Sequence, residues 1–270
     1  MKIYANEIKM NYELTGKGIS LVLIHGFTDN LNMWYKQVPE FSKHYQVLTY
    51  DFRGHGQTET PNGEFSMELF ADDLYALLKA LNIENTCVLG YSMGGRIALE
   101  FALKYPEITS GLIMANMGVA GKELKMSKEQ AELTGKHIRM VTRLCESGDI
   151  DALADELIGK SLSLEFQERQ PEICENYKKL KLQNDPKHYS SVIQAMIRAM
   201  GTPPDLSRVE CPVLLIAGEY DPFMNIEVLK GMEKEMSRTA LKILGAGHAT
   251  AIEAPEAFNE VVLEFMKFLS

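Results

Sequence analysis

Cysteine is scarce in this chain and shows no pairing pattern. The four residues Cys87, Cys145, Cys174 and Cys211 are scattered, with no C-x-x-C spacing. That excludes a disulfide scaffold and the common zinc and redox signatures. The N-terminus, Met1-Lys2-Ile3-Tyr4-Ala5-Asn6-Glu7, has no signal-peptide apolar core, so reduced thiols in a cytoplasmic protein are expected. Basic residues are outnumbered, 28 Lys and Arg against 37 Asp and Glu, for a net charge of −9. A surface of that sign repels phosphate backbones, so nucleic acid is not expected as a partner. Long apolar runs are missing as well. Stretches such as Ile19–Ile24 and Val213–Ala217 fall far short of the ~20 residues of a membrane span. No His, Asp and Glu residues cluster at metal-ligand spacing, so neither a metal nor an organic cofactor is expected. The acidic balance fits a monomer and a homodimer equally.

What remains is ordinary globular composition, 46% hydrophobic and 24% charged over 270 residues, enough to bury a core without staples. Apolar and polar residues alternate over residues 1–14 around Asn6-Glu7, which reads as a hairpin. Further along, short apolar runs alternate with helical patterns. Strands are expected at Ile19–His25, Gln46–Asp51, Thr86–Gly90, Gly111–Asn116, Val213–Ala217 and Thr239–Leu244. Helices are expected at Leu31–Lys43, after a Ser66 cap, at Met93–Lys104, near 225–236 and at 255–269. Residues 118–200 show no convincing strand and read as helices near 127–146, 150–160, 164–181 and 186–200. Repeated β-α units with short loops imply an α/β fold, a mostly parallel sheet with helices on both faces. The helical stretch is then an insertion above the carboxyl ends of the strands, where such folds bind ligands.

The chemistry-bearing residues lie at those strand ends. Gly90-Tyr91-Ser92-Met93-Gly94-Gly95 fits G-x-S-x-G, and it falls between an expected strand and an expected helix, as a nucleophile turn requires. A serine hydroxyl needs a base to act as a nucleophile. Of six histidines, only His248 follows the last strand, preceded by the small residues Gly245-Ala246-Gly247. Asp221, after the strand Val213–Ala217, is the candidate for orienting His248, with Glu219 as the rival carboxylate. The backbone N–H groups of Phe27 and Met93 are the natural pair to receive an oxyanion. His25 and His55 read as structural. Pocket walls are expected from Phe27, Trp34, Tyr91, Met93 and Met117, with Met140 and Met196 from the insertion.

These pieces together resemble the α/β-hydrolase superfamily: His25-Gly26-Phe27, Trp34, Asp51-Phe52-Arg53-Gly54-His55-Gly56, Gly90–Gly95, Asp221 and Gly247-His248. The resemblance implies an eight-stranded sheet with a core of residues 1–117 and 201–270 and a helical cap of residues 118–200. It implies a Ser92–Asp221–His248 triad and an acyl-enzyme, acting on a small carboxylic ester or lactone. Ser92 argues against the epoxide hydrolases and dehalogenases of this fold, which carry aspartate there. The Tyr50–Gly56 segment is similar to the 3-oxoadipate enol-lactonase pattern. Tyr91–Arg96 also resembles 2-succinyl-6-hydroxy-2,4-cyclohexadiene-1-carboxylate synthases, in which the arginine at the Arg96 position helps bind a substrate carboxylate. Asn32 and Trp34 loosely resemble carbon–carbon bond hydrolases. Substrate contacts are accordingly expected at Trp34, Tyr91, Arg96 and Met117. A lyase or a carbon–carbon bond hydrolase using the same triad, or a ligand sensor of this fold, are the alternatives.

Overall fold

The structure is a computed structural model that describes residues 1–119 and 128–269. Strands β1 (Lys2–Ala5) and β2 (Ile8–Thr15) form the expected hairpin. Its two turn residues, Asn6 and Glu7, have φ of 45° and 63°, the twist that a two-residue hairpin requires. The remaining strands are β3 (Ser20–Ile24), β4 (Gln46–Tyr50), β5 (Thr86–Tyr91), β6 (Thr109–Ala115), β7 (Val213–Gly218) and β8 (Thr239–Leu244). All eight make one sheet in the order β1-β2-β4-β3-β5-β6-β7-β8. Only the β1–β2 and β2–β4 pairs are antiparallel. Every residue of β3, β5 and β7 is buried, because helices cover both faces of a parallel sheet.

Those helices are α1 (Val38–Phe41), α2 (Met67–Ala80), α3 (Met93–Lys104), α4 (Lys128–Ser147), α5 (Ile150–Ser161), α6 (Leu164–Arg169), α7 (Pro171–Lys181), α8 (Tyr189–Met200), α9 (Ile226–Glu235), α10 (Thr250–Glu253) and α11 (Pro255–Leu269). Buried side chains of α2, α3 and α9 pack on one face of the sheet, and those of α1 and α11 on the other. Ser66 caps α2 by accepting from the Leu69 N–H at 3.1 Å. Between β6 and β7 the described residues form helices α4 to α8 and no strand, with a small apolar centre of their own around Val141, Leu153, Tyr189 and Ile193. Residue 127, where the first of these helices was expected to start, lies outside the described residues.

Two expected helices are broken, each at a proline. Leu31–Lys43 divides into a 3-10 turn at Leu31–Trp34 and α1. Pro39 has no N–H to give to Tyr35, so one continuous helix cannot pass through it. Likewise 164–181 divides into α6 and α7, with Pro171 opening the second at a position where a missing N–H costs nothing. The single turn α10 has no counterpart in the sequence reading. It is too short to show a period.

The loop after β3 is fixed from both sides. Thr28 has φ of 65°, an unfavourable value for a β-branched residue. Its N–H donates to His55 Nε2 at 3.0 Å, and its carbonyl accepts from Asn184 Nδ2 at 2.8 Å. Asn184 Oδ1 in turn accepts from the Gly56 N–H at 2.7 Å. His25 stacks on Phe52 with ring centroids 4.2 Å apart, and His55 lies 5.2 Å from His25. From α7, Lys181 Nζ donates to Asp29 Oδ1 at 2.6 Å and Thr28 Oγ1 at 3.2 Å, and Tyr177 donates to Asp29 Oδ2 at 3.2 Å. The inserted helices are thus locked onto the β3 loop by a buried ion pair.

Two predictions follow from this loop. Lys181→Met leaves the Asp29 carboxylate buried without its cation, and should lower the unfolding free energy by about 3 kcal/mol in urea titrations. Burial lowers the imidazolium pKa of His25, and lowers that of His55 still further, from 6.5. The unfolded chain therefore takes up protons near pH 6.5 that the folded chain refuses. Stability should be full above that pH and decline as pH falls below it. His55→Gln, with a side chain that can still accept from Thr28, should flatten the decline.

Candidate active site

β5 ends at Tyr91 and α3 begins at Met93, so the reversal of the chain falls on Ser92 alone. Its backbone adopts φ 52° and ψ −119°, a conformation that L-residues hold only where the surroundings over-determine it. The surroundings here are backbone. A Cβ on Gly90 would sit 2.0 Å from the Gly94 carbonyl oxygen, and one on Gly94 would sit 2.3 Å from that of Ile24. Only hydrogen at both positions lets α3 start directly on β3 and β5. The Ser92 N–H donates to Ala115 O at 2.8 Å, and Ser92 O accepts from the Gly95 N–H at 2.9 Å. The hydroxyl is left pointing out of the turn.

Ser92 Oγ lies 2.9 Å from His248 Nε2, and His248 Nδ1 lies 2.8 Å from Asp221 Oδ2. The three residues come from the ends of β5, β8 and β7. Asp221 Oδ1 accepts from the N–H groups of Phe223 at 2.8 Å and Met224 at 3.1 Å, and Oδ2 also accepts from Asn116 Nδ2 at 3.1 Å. Burial works against ionisation of Asp221. The His248 contact and these N–H donors overcome it and hold the carboxyl below its usual range. An ionised Asp221 keeps a proton on His248 Nδ1, which leaves Nε2 free to accept from the serine. The rival, Glu219, is exposed and stays out of this chain of contacts.

A cavity of about 190 Å³ opens over Ser92. Phe27, Tyr91, Met93, Met117 and Met196 line it. The Phe27 and Met93 N–H groups belong to two of these lining residues. Met93 is the first residue of α3, where no carbonyl four residues back exists to take its N–H. Among the described residues, no group of three or more His, Cys, Asp or Glu side chains could hold a metal ion.

Three expected pocket residues lie elsewhere. Trp34 is fully buried in the core, 6.4 Å from the Phe258 ring, where a large ring gains most by complete burial. Arg96 is drawn down α3 by Glu100 at 3.3 Å, and lines a separate cavity of about 490 Å³ with Glu68, Arg198 and Arg208. Met140 points outward and is 44% exposed.

Several contributors carried no signal in the sequence. Asn116, at φ 52°, bridges Asp221 and the Thr250 hydroxyl, which donates to its Oδ1 at 2.6 Å. The end of β6 was the only hint of it. His137 on α4 reaches the cavity and packs on Phe223 at 4.7 Å, and Phe223 packs on His248 at 4.9 Å. Glu253 accepts from the N–H groups of Gly247 at 3.0 Å and Ser163 at 2.9 Å and from the Ser163 hydroxyl, tying the His248 loop to the insertion. Such partners are set by three-dimensional proximity, which spacing along a chain does not encode.

Residues 19–133 match the α/β hydrolase fold family. The chain is 30% identical over 265 residues to 3-oxoadipate enol-lactonase 2 of Acinetobacter baylyi, covering 97% of this chain and 95% of that protein. Among solved structures, a thermophilic esterase from Thermogutta terrifontis is 26% identical, with a TM-score of 0.85 over 100% of this chain and 98% of its own. The enol-lactonase of Burkholderia xenovorans LB400, at 23% identity, has the same fold with a TM-score of 0.87 over 99% of this chain and 100% of its own. With the sheet order, the strand-end site and a relative at this identity along nearly its full length, the chain is a hydrolase of the α/β-hydrolase family.

Proposed function

We propose that the protein cleaves a small carboxylic ester or lactone through an acyl-enzyme on Ser92, with Ser92, His248 and Asp221 as its catalytic triad. The observation that carries this reading is the unbroken line of contacts from Ser92 Oγ through His248 to Asp221, at 2.9 and 2.8 Å, at the floor of a cavity. Ser92 Oγ attacks the carbonyl carbon while His248 Nε2 takes its proton. The Phe27 and Met93 N–H groups receive the charge that grows on the carbonyl oxygen, an effect worth about 3 kcal/mol per donor. His248 then gives the proton to the departing alkoxide, which in a lactone stays attached to the acyl group. Water, deprotonated by His248, attacks the acyl-enzyme and releases the acid. Asp221 stabilises the imidazolium in both halves.

Helices α4 to α8 serve as the lid in this reading, with residues 1–117 and 201–270 as the catalytic core. The enol-lactonase and esterase named above support both the ester and the lactone forms of the substrate. The lyase alternative drew on Arg96, which lines the second cavity rather than the one over Ser92. The unpaired cysteines suit a reducing compartment such as the cytoplasm.

The test is steady-state turnover of p-nitrophenyl esters from acetate to long acyl chains. Wild type should saturate on the short chains, and Ser92→Ala should abolish that turnover. Turnover surviving in Ser92→Ala would overturn the reading. Asp221→Asn, which removes the charge while preserving shape, should lower kcat roughly 10³- to 10⁴-fold with little change in KM.

A further inference from the structure

We infer that the Ser92 cavity takes a neutral, apolar acyl or lactone group and turns away one that carries a second carboxylate. This rests on the acyl-transfer reading above and narrows its substrate class.

A carboxylate entering so small a cavity loses its water and needs free cationic or N–H donors in exchange. Among the described residues, the cations near this wall are already committed. Lys181 has 4% of its side chain exposed and is held by Asp29, by the Thr28 hydroxyl and by the Tyr177 ring, whose centroid lies 4.5 Å from Nζ. Lys160 pairs with Glu156. Arg96 faces the other cavity. His137 meets Lys160 and Glu156 at its Nδ1, 3.3 and 3.4 Å away. Burial first, and then Lys160, hold its imidazolium below the usual range, so it is neutral at pH 7. Lys181 cancels Asp29, and Glu156 cancels Lys160. Among the described residues, what remains uncancelled is Asp221, behind His248, so an incoming carboxylate meets a like charge.

The rest of the wall is suited to carbon. Five methionines line it: Met93, Met117, Met196, Met200 and Met224. Methionine adapts its shape without changing its polarity, so the cavity can vary the outline it accepts while keeping one chemistry.

The experiment uses two esters matched in non-hydrogen atoms. In ethyl 4-methylpentanoate a terminal isopropyl group stands where monoethyl succinate has a carboxylate. Ethanol release by wild type gives kcat/KM, and calorimetric titration of Ser92→Ala gives the Kd of each ester without turnover. Both measures should favour the neutral ester by at least roughly 30-fold at pH 7. Met200→Lys places a cation at the half-exposed mouth, where the fold does not depend on it, and should narrow the gap about fivefold by improving the anionic ester. Equal or stronger handling of monoethyl succinate would overturn the inference while leaving acyl transfer at Ser92 intact. An unchanged gap in Met200→Lys would overturn its electrostatic basis. A binding preference for the neutral ester without turnover of either would uphold the inference and sink the acyl-transfer reading instead.

Discussion

The contact between the foot of α3 and the ends of β3 and β5 is the constraint on which the site depends. Helix and strands meet backbone to backbone, with no side chain between them at Gly90 and Gly94. The turn must then be completed in one residue, which places Ser92 in its unusual conformation and leaves its hydroxyl facing the cavity. The same closeness brings the first N–H of α3 beside the loop that follows β3. The proposed nucleophile and the proposed charge-stabilising donors are therefore products of one packing decision. A bulkier helix foot would move both together.

Charge inside the molecule is handled by burial with partners. Asp29 and Lys181 neutralise each other across the boundary between the sheet and the inserted helices, and Arg53 and Asp73 do so beneath α2, 2.7 Å apart. Asp221 is the exception that chemistry requires. It is surrounded by N–H donors and a histidine ring rather than by a permanent cation, so its charge is stabilised without being cancelled. His25 and His55 are buried with neutral partners, and act as a rigid aromatic floor beneath the Phe27 loop.

The sheet and the Ser92–His248–Asp221 contacts were legible in the sequence because they follow short-range rules. Parallel strands buried on both faces read as uninterrupted apolar runs. The Ser92 turn needs glycines at fixed offsets, and His248 and Asp221 each follow a strand in the order this site demands. Pro39 and Pro171 were visible too, yet the apolar period around each outweighed them and one helix was expected where two exist. The cavity wall was half legible. Phe27, Tyr91, Met93, Met117 and Met196 line it, but Trp34 and Arg96 do not. A tryptophan serves a core as readily as a pocket, and an arginine goes to whichever carboxylate folding brings near, here Glu100. Asn116 meets Asp221, His137 meets Phe223 and Glu253 meets Ser163 across long stretches of chain, and no local pattern announces them.

Glu253 has a consequence for how molecules reach Ser92. One carboxylate holds both Gly247, the neighbour of His248, and Ser163, in the loop between α5 and α6. Lifting that side of the insertion would drag the histidine away from the serine. The Asp29–Lys181 lock pins α7 in the same way beside the loop after β3. Among the described lining residues, Met200 stands half exposed. In the proposed reaction, molecules would then reach Ser92 without that side of the insertion lifting, and adaptable methionines rather than a moving lid would fit them.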